Sequence, residues 1–482
     1  MELKQQATKG AFWAFIEQFS AQLIAFGVNL VLARLLMPED FGTIALFNVV
    51  MSVSSVLING GLTSSLIRTQ DVDDRDLSTV FWFNIGASCL IYCFIFISTP
   101  WIAAFYNKPI LTNLIRVYAI VLIVDSFVGV QGIRFEKELD FKTTFRIKLP
   151  SILIGGISGI LFAWQGFGVW SLVYSAIIKN VISTLQYWFY SNWRPSFLFD
   201  KGKFRYHFTF GVRMTLSSLL DVIFNNIFTI VIGKKFSSVE LGYYDRADGL
   251  KQLPVNNIAM TLNRVSYPLF SKISHDNISL RNVYQKMLKL VIFIIAPIIA
   301  IMIIEAFPLI RFLLTDKWLP AVPYFQILSL AGLLYPIHAY NLNILQIKGR
   351  SDLFLKLEIL KKVLVVVVIL LLIPLGMYGL VWAQVVVSIL ALFINTFFTG
   401  KFLNYNVFQQ IKDLLPSIGV AAFVGVLLWF LDKNILYSQK DLTRIIVLTP
   451  LYLIIYFGIT YMLGFKELSL IKKLILKNDT SY

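Results

Sequence analysis

The chain of 482 residues is 57% apolar, has a mean hydropathy of +0.73, and carries only 70 Lys, Arg, Asp and Glu side chains. A soluble fold this apolar would lack polar surface to cover itself, so the composition points to a protein solvated by lipid. The formal charge of +16 raises the question of nucleic acid, and the distribution of the charges answers it below.

Apolar runs long enough to cross a bilayer core, about 20 residues each, predict fourteen transmembrane helices. In chain order they cover 12–33, 41–66, 80–100, 110–132, 149–165, 168–189, 207–232, 242–270, 287–311, 322–347, 358–374, 377–400, 414–431 and 443–463. The first is read as a retained span, because no small-residue cleavage site follows it. Between the first two, Pro38 suits a first helical turn, where its missing N–H costs nothing, and Glu39 and Asp40 suit the positive helix end. Cys89 and Cys93 lie four apart in the third span; without a second ligand pair they are assigned to helix packing. WQGFG around Gly166 and PLGMYG around Gly376 are short glycine-containing connections that suit tight helical hairpins. The eighth span is the most polar at its start, with Asp245, Arg246, Asp248 and Lys251. The loops are too short to house an extramembrane enzyme domain.

Placing the N-terminus in the cytoplasm puts most Lys and Arg in cytoplasmic segments. The richest are the stretch from Arg134, the segment with Arg194, Lys201, Lys203 and Arg205, and the segment from Lys348 to Lys362. This positive-inside bias predicts that both termini are cytoplasmic. The excess charge is thus a topology signal and no nucleic-acid partner is expected.

An internal repeat appears at a shift of 200 residues. NLVLARLLMPEDFG, from Asn29 to Gly42, aligns with TIVIGKKFSSVELG, from Thr229 to Gly242, and FGVW from Phe167 recurs approximately as YGLVW from Tyr378. Sets of six spans enter the membrane in the same direction, so the copies are expected to be parallel repeats with a substrate site between them. The predicted organisation is an N-terminal lobe over 1–200, a C-terminal lobe over 201–405, and two additional spans with a cytoplasmic tail over 406–482.

Ionisable side chains in hydrocarbon are costly and tend to face a bundle interior or watery cavity. Lys179, in the sixth span, and Arg213, in the seventh, are the foremost candidates for meeting an anion, lysine as a point charge and arginine as a bidentate fork. The alternatives are pairing with Asp221 or Glu17, or snorkelling of Arg213 to the cytoplasmic interface. Arg116, Arg246, Lys251 and Arg264 complete the basic set, although Lys251 can pair with Asp248 three residues away. Glu17, Asp125, Asp221 and Glu305 are candidates for ion coupling or for pairing within the cavity. His338, three residues from Asn341, fits a buried hydrogen-bonded histidine better than a ligand. No nucleophile–base set, metal-ligand spacing or phosphate loop stands out.

The opening stretch from Ala7 to Leu46, with GGLTSSLIRTQD from Gly60, GFGVWSLV from Gly166 and LGYYDRADGLKQLP from Leu241, resembles the bacterial polysaccharide flippases. These are O-antigen, capsule and teichuronic-acid type exporters, grouped more widely with the multidrug and toxin extrusion transporters. The resemblance implies an all-α fold of two six-helix lobes plus two peripheral helices in the bacterial inner membrane. It further implies alternating-access movement of an undecaprenyl-pyrophosphate-linked oligosaccharide to the outer leaflet, with basic cavity residues on the pyrophosphate and no enzymatic step. Its partners would be the lipid-linked oligosaccharide, membrane lipids, and the polysaccharide polymerase and glycosyltransferases. No cofactor is implied, and coupling to a proton or sodium gradient stays open. The competing readings are a multidrug or small-solute antiporter of the same fold, and a membrane glycosyltransferase or polymer ligase.

Overall fold

The computed structural model describes residues 2–470, and every regular element among them is helical. The chain divides into two compact units, one ending at Gly242 and the other beginning at Tyr243.

In the first unit, α1 (Glu2–Leu35) and α2 (Pro38–Asn59) are joined by a two-residue turn. Pro38 opens α2 as the spacing predicts, and the Asp40 carboxylate accepts the Met37 N–H at 2.9 Å. The second predicted span stops early: Gly60 and Gly61 take φ of +52° and +64°, and a separate short helix, α3 (Leu62–Arg68), follows. Only glycine adopts such angles without steric cost. Next come α4 (Asp74–Phe105), α5 (Ile110–Tyr118), α6 (Ile120–Ser126), α7 (Gly129–Lys137), α8 (Phe141–Trp164) and α9 (Val169–Tyr190). The turn before α9 is the predicted glycine hairpin, with Gly166 at φ +86° and Gly168 at φ +53°. The α8–α9 seam closes on small residues. A Cβ on Gly155 would lie 2.6 Å from Lys179 Cβ, and one on Gly159 would lie 2.7 Å from Ser175 Cβ. The unit ends with α10 (Lys201–Asn225), α11 (Ile227–Lys235) and the start of α12 (Ser238–Lys272). Packing brings α10 onto α2, α3 and α4, which is why the contact-based boundary falls later than residue 200, where the repeat alone would divide the chain.

The second unit holds the rest of α12, then α13 (Asn277–Ile304), α14 (Ala306–Leu314), α15 (Val322–Ile347), α16 (Ser351–Leu372), α17 (Gly376–Leu403), α18 (Val407–Leu431) and α19 (Asp441–Met462). Its core is α13, which packs on α15 and α18; Leu288, Val291, Ile292, Phe293 and Ile295 are fully buried along it. A helix apolar on all sides is one that the fold surrounds. Gly376, at φ +77°, separates α16 from α17 as expected.

Nine helical segments are long and apolar enough to cross a membrane, and eleven when two bent pairs are each counted as one span, among the described residues. The outward faces agree with lipid as solvent: Phe12, Phe15, Phe19 and Leu23 make a stripe on α1, each about 60% exposed, far more than a soluble helix leaves in water. The fold is that of an all-α polytopic membrane protein. Several predicted spans are not straight. The fourth is broken near Phe127 with a 43° bend, the seventh near Asn226 with a 46° bend, and the ninth at Glu305. The eighth, despite its charges, is one continuous helix. Cys89 and Cys93 are free and exposed on α4 instead of packed inside, because that face of α4 looks outward.

At the start of α4, Asp73 caps the helix by accepting the Asp76 N–H at 2.8 Å. That bond, followed by the Asp76 and Lys203 side chains, holds the Asp73 carboxyl down from its usual 3.8 to about 2. A depressed pKa gives stability that is present above about pH 4 and lost as pH falls towards 2. Asp73→Ala is therefore expected to cost about 0.5–2 kcal/mol at neutral pH. Thermal melting in detergent should show the gap between variant and parent closing as the pH is lowered through this window.

Candidate functional site

The first half of α10 carries Lys201, Lys203, Arg205 and Arg213 within thirteen residues. Lys203 turns to the α4 start, where its amine donates to Asp76 at 2.9 Å. Arg205 and Arg213, two turns apart, face the other way. With Gly202, Tyr206, Thr209, Phe210 and Met214 they line a cavity of about 720 Å3. Arg68, from the end of α3, packs behind this face, its guanidinium 4.4 Å from the centre of the Phe210 ring. Two guanidinium groups, a phenol and a threonine hydroxyl thus border one open space, and neither Arg205 nor Arg213 takes part in an ion pair within 4.0 Å among the described residues. Guanidinium groups bind phosphate oxygens through planar, bidentate hydrogen bonds. Arg213 lies twelve residues into α10, about 18 Å along the axis from Lys201.

The other predicted residues separate into two groups. Lys179 is exposed on α9 within electrostatic range of Asp125 on α6, and the Thr184 hydroxyl donates to the Val124 carbonyl at 3.4 Å to tie the same two helices. Asp125 and Lys179 lie on helices packed with one another and with α4, α5 and α8, whereas Arg213 lies on α10. Most of the other candidates have protein partners. Arg116 donates to Thr99 at 3.0 Å and stacks over Phe96. Glu17 pairs with Lys148 at 2.6 Å. In the second unit Arg246 pairs with Asp245 at 2.9 Å and Lys251 with Asp248 at 2.5 Å. Glu305, 3% exposed, accepts from the Thr449 hydroxyl at 2.9 Å. Asp221 and Arg264 are exposed on α10 and α12. His338 is hydrogen-bonded to Ser388 at 3.0 Å and sits beside Asn395, the structural role expected of it. No cluster of three or more His, Cys, Asp or Glu residues suited to a metal occurs among the described residues.

Arg68 and Arg205 are absent from the sequence-derived set. Both fall in segments whose positive charge is fully explained by topology, so only the fold separates them from their neighbours. The spacing of Arg205, Thr209 and Arg213 at intervals of four is the one signal that could have found the face in advance.

Comparison with known proteins places this architecture. The profile of the family described as "Polysaccharide biosynthesis protein" matches residues 31–323, more than half of the chain. The chain belongs to that family. The matched region contains the whole of α10. Among those relatives, the teichuronic acid biosynthesis protein TuaB of Bacillus subtilis (strain 168) is 23% identical over 436 residues, covering 88% of this chain and 89% of that one. The lipopolysaccharide biosynthesis protein WzxC of Escherichia coli (strain K12) is 24% identical over 371 residues, covering 75% and 74%. Of solved structures, the lipid II flippase MurJ in an inward closed conformation superposes with a TM-score of 0.75 at 14% identity, covering 94% of this chain and 99% of that one. An inward-facing multidrug transporter of the MATE family follows with a TM-score of 0.59 at 18% identity, covering 80% and 96%. Both likenesses establish the fold.

Proposed function

We propose that the protein translocates an undecaprenyl-pyrophosphate-linked oligosaccharide from the inner to the outer leaflet of the bacterial inner membrane by alternating access, for export of a surface polysaccharide. The observation that carries this reading is the cavity on α10 lined by Arg205 and Arg213, in a chain whose relatives TuaB and WzxC are named for teichuronic acid and lipopolysaccharide biosynthesis. A pyrophosphate is a doubly anionic group that hydrocarbon cannot solvate. Arg205 and Arg213 meet it, Arg68 and Tyr206 buttress the site, and Lys179 with Asp125 marks a second polar position deeper in the bundle. The lipid tail needs no protein cavity, since it can stay in the bilayer, and no covalent bond is made or broken.

The topology that goes with this reading has fourteen crossings. The eleven spans become fourteen when the segment Ser351–Leu403 is divided at Gly376 and the helices Val169–Tyr190 and Ser238–Lys272 are added. Both termini then face the cytoplasm, spans 1–6 and 7–12 form two parallel-related lobes, and the last two spans are peripheral. Native mass spectrometry of the purified protein tests the anion site. Undecaprenyl pyrophosphate is expected to stay bound where undecaprenol does not, and Arg205→Ala should weaken its retention about tenfold, the loss of one charge-assisted contact. Equal retention of the two lipids would contradict the assignment.

A further inference from the structure

The turns Pro38–Gly42 and Ser238–Gly242, equivalent in the internal repeat, touch one another in the fold. A methyl on Gly42 would overlap the Ser238 carbonyl oxygen and lie 2.9 Å from the Gly242 nitrogen. A methyl on Gly242 would overlap the Pro38 carbonyl oxygen and lie 3.3 Å from the Gly42 nitrogen. Each glycine therefore packs on the first residue of the other turn, the reciprocity that a local twofold axis through the contact requires. Both glycines have ordinary helical φ, so it is the close approach of two backbones that demands them.

A second backbone approach lies at the opposite end of α2, against α10. A methyl on Gly211 of α10 would overlap the Gly60 carbonyl oxygen, and one on Gly61 the Gly211 carbonyl oxygen. Gly211 continues a stripe at intervals of four. One turn earlier is His207, fully buried, with Nδ1 2.8 Å from the Ser65 hydroxyl and Nε2 3.0 Å from Asp76. One turn earlier again is Lys203, whose amine reaches Asp76 at 2.9 Å and Asp73 at 3.3 Å. The Ser–His–Asp arrangement has no catalytic reading here, because Ser65 and Asp76 are each 1% exposed and a substrate could not reach the hydroxyl.

We propose that these are two seals of one transport path. The Gly42–Gly242 crossing closes its external end, and the Lys203–His207–Gly211 stripe on Asp76, Ser65 and Gly60–Gly61 latches its cytoplasmic end. The inference rests on the translocation reading for the existence of the path. Each seal contains a contact of bare backbone that a single methyl on glycine breaks, so the substitution weakens one end and leaves the other intact. Gly42→Ala and Gly242→Ala favour opening at the external end, and Gly211→Ala favours opening at the cytoplasmic end. Asp76→Asn unlatches the cytoplasmic end without adding bulk.

Cysteine accessibility tests this without any substrate, so its outcome is separable from that of the transport reading. In a Cys89→Ser, Cys93→Ser background, Ser238→Cys reports the external end and Ser65→Cys, whose thiol keeps a hydrogen-bonding group towards His207, the cytoplasmic end, both positions being at most 3% exposed and each variant being compared with its reporter alone. A membrane-impermeant maleimide is applied to right-side-out and inside-out vesicles. Gly42→Ala or Gly242→Ala is expected to raise labelling of Ser238→Cys about tenfold while leaving Ser65→Cys protected. Gly211→Ala and Asp76→Asn should each do the reverse, a shift in population between two states. Gly156→Ala, which crowds Val28 away from both seals, controls for general loosening and should raise neither. Labelling that rises at both ends together, or that stays unchanged in variants that elute as intact monodisperse protein, overturns the proposal. Reciprocal labelling in a protein that fails to move lipid-linked oligosaccharide supports the seals and rejects the cargo.

Discussion

Arg213→Ala is expected to reduce delivery of lipid-linked oligosaccharide to the outer leaflet by about ten- to a hundredfold. A hydrogen bond to a charged group contributes roughly 1.5–3 kcal/mol, and each 1.4 kcal/mol corresponds to about tenfold. The loss comes from the position of Arg213 in the α10 cavity, where it has no ion pair within 4.0 Å among the described residues. Arg213→Lys keeps the charge but loses the planar fork, and should recover part of the rate. Initial rates in reconstituted vesicles, normalised to protein inserted, measure the effect. A variant as active as the parent would remove Arg213 from the substrate path and leave the cavity a structural feature.

The largest stability effect is expected in the second unit, at Arg444. This arginine is 3% exposed and forks onto Asp432, itself 6% exposed, with bonds of 2.8 Å from Nε and 2.5 Å from Nη2. A neighbouring fork joins Arg311 to Asp441 at 2.6 and 2.7 Å, so α14, α18 and α19 are fastened at one end by paired ions. Arg444→Met leaves the Asp432 carboxylate buried with no partner and should cost about 3–5 kcal/mol. Asp432→Leu together with Arg444→Met removes both charges and should restore most of that loss, since an apolar pair can replace a buried ion pair at little net cost. Thermal unfolding of the single and double variants in one detergent checks the sign. A double variant no more stable than the single would show that the forks do more than satisfy each other.

The parts of the fold that follow from hydropathy and from glycine were legible in advance. Runs of apolar residues located the helices, Gly166 and Gly376 located the hairpins, and the turns at Pro38–Gly42 and Ser238–Gly242, alike in sequence, touch one another in the structure. The helix breaks were not legible. Near Phe127, Asn226 and Glu305 the hydropathy runs straight through while the helix axis turns, because a bend in a span is set by packing and leaves the apolar average unchanged. Charge was the other blind spot. Arg205 and Lys203 are two residues apart and identical to a topology count, yet Lys203 pairs with Asp73 and Asp76 while Arg205 lines a cavity. The distinction depends on which side of α10 faces α3 and α4. Lys179, singled out because a lysine in mid-span needs a reason, does have one nearby in Asp125.

The central claim is that a polysaccharide-precursor lipid is the cargo, and one reconstitution tests it most directly. Wild-type protein in vesicles is given either a fluorescent undecaprenyl-pyrophosphate oligosaccharide in the inner leaflet or a lipophilic multidrug cation in the lumen. The expected result is protein-dependent appearance of the oligosaccharide in the outer leaflet, blocked by excess unlabelled undecaprenyl pyrophosphate, with no transport of the cation. Cation movement driven by an ion gradient, with the lipid-linked oligosaccharide left where it began, would contradict the account.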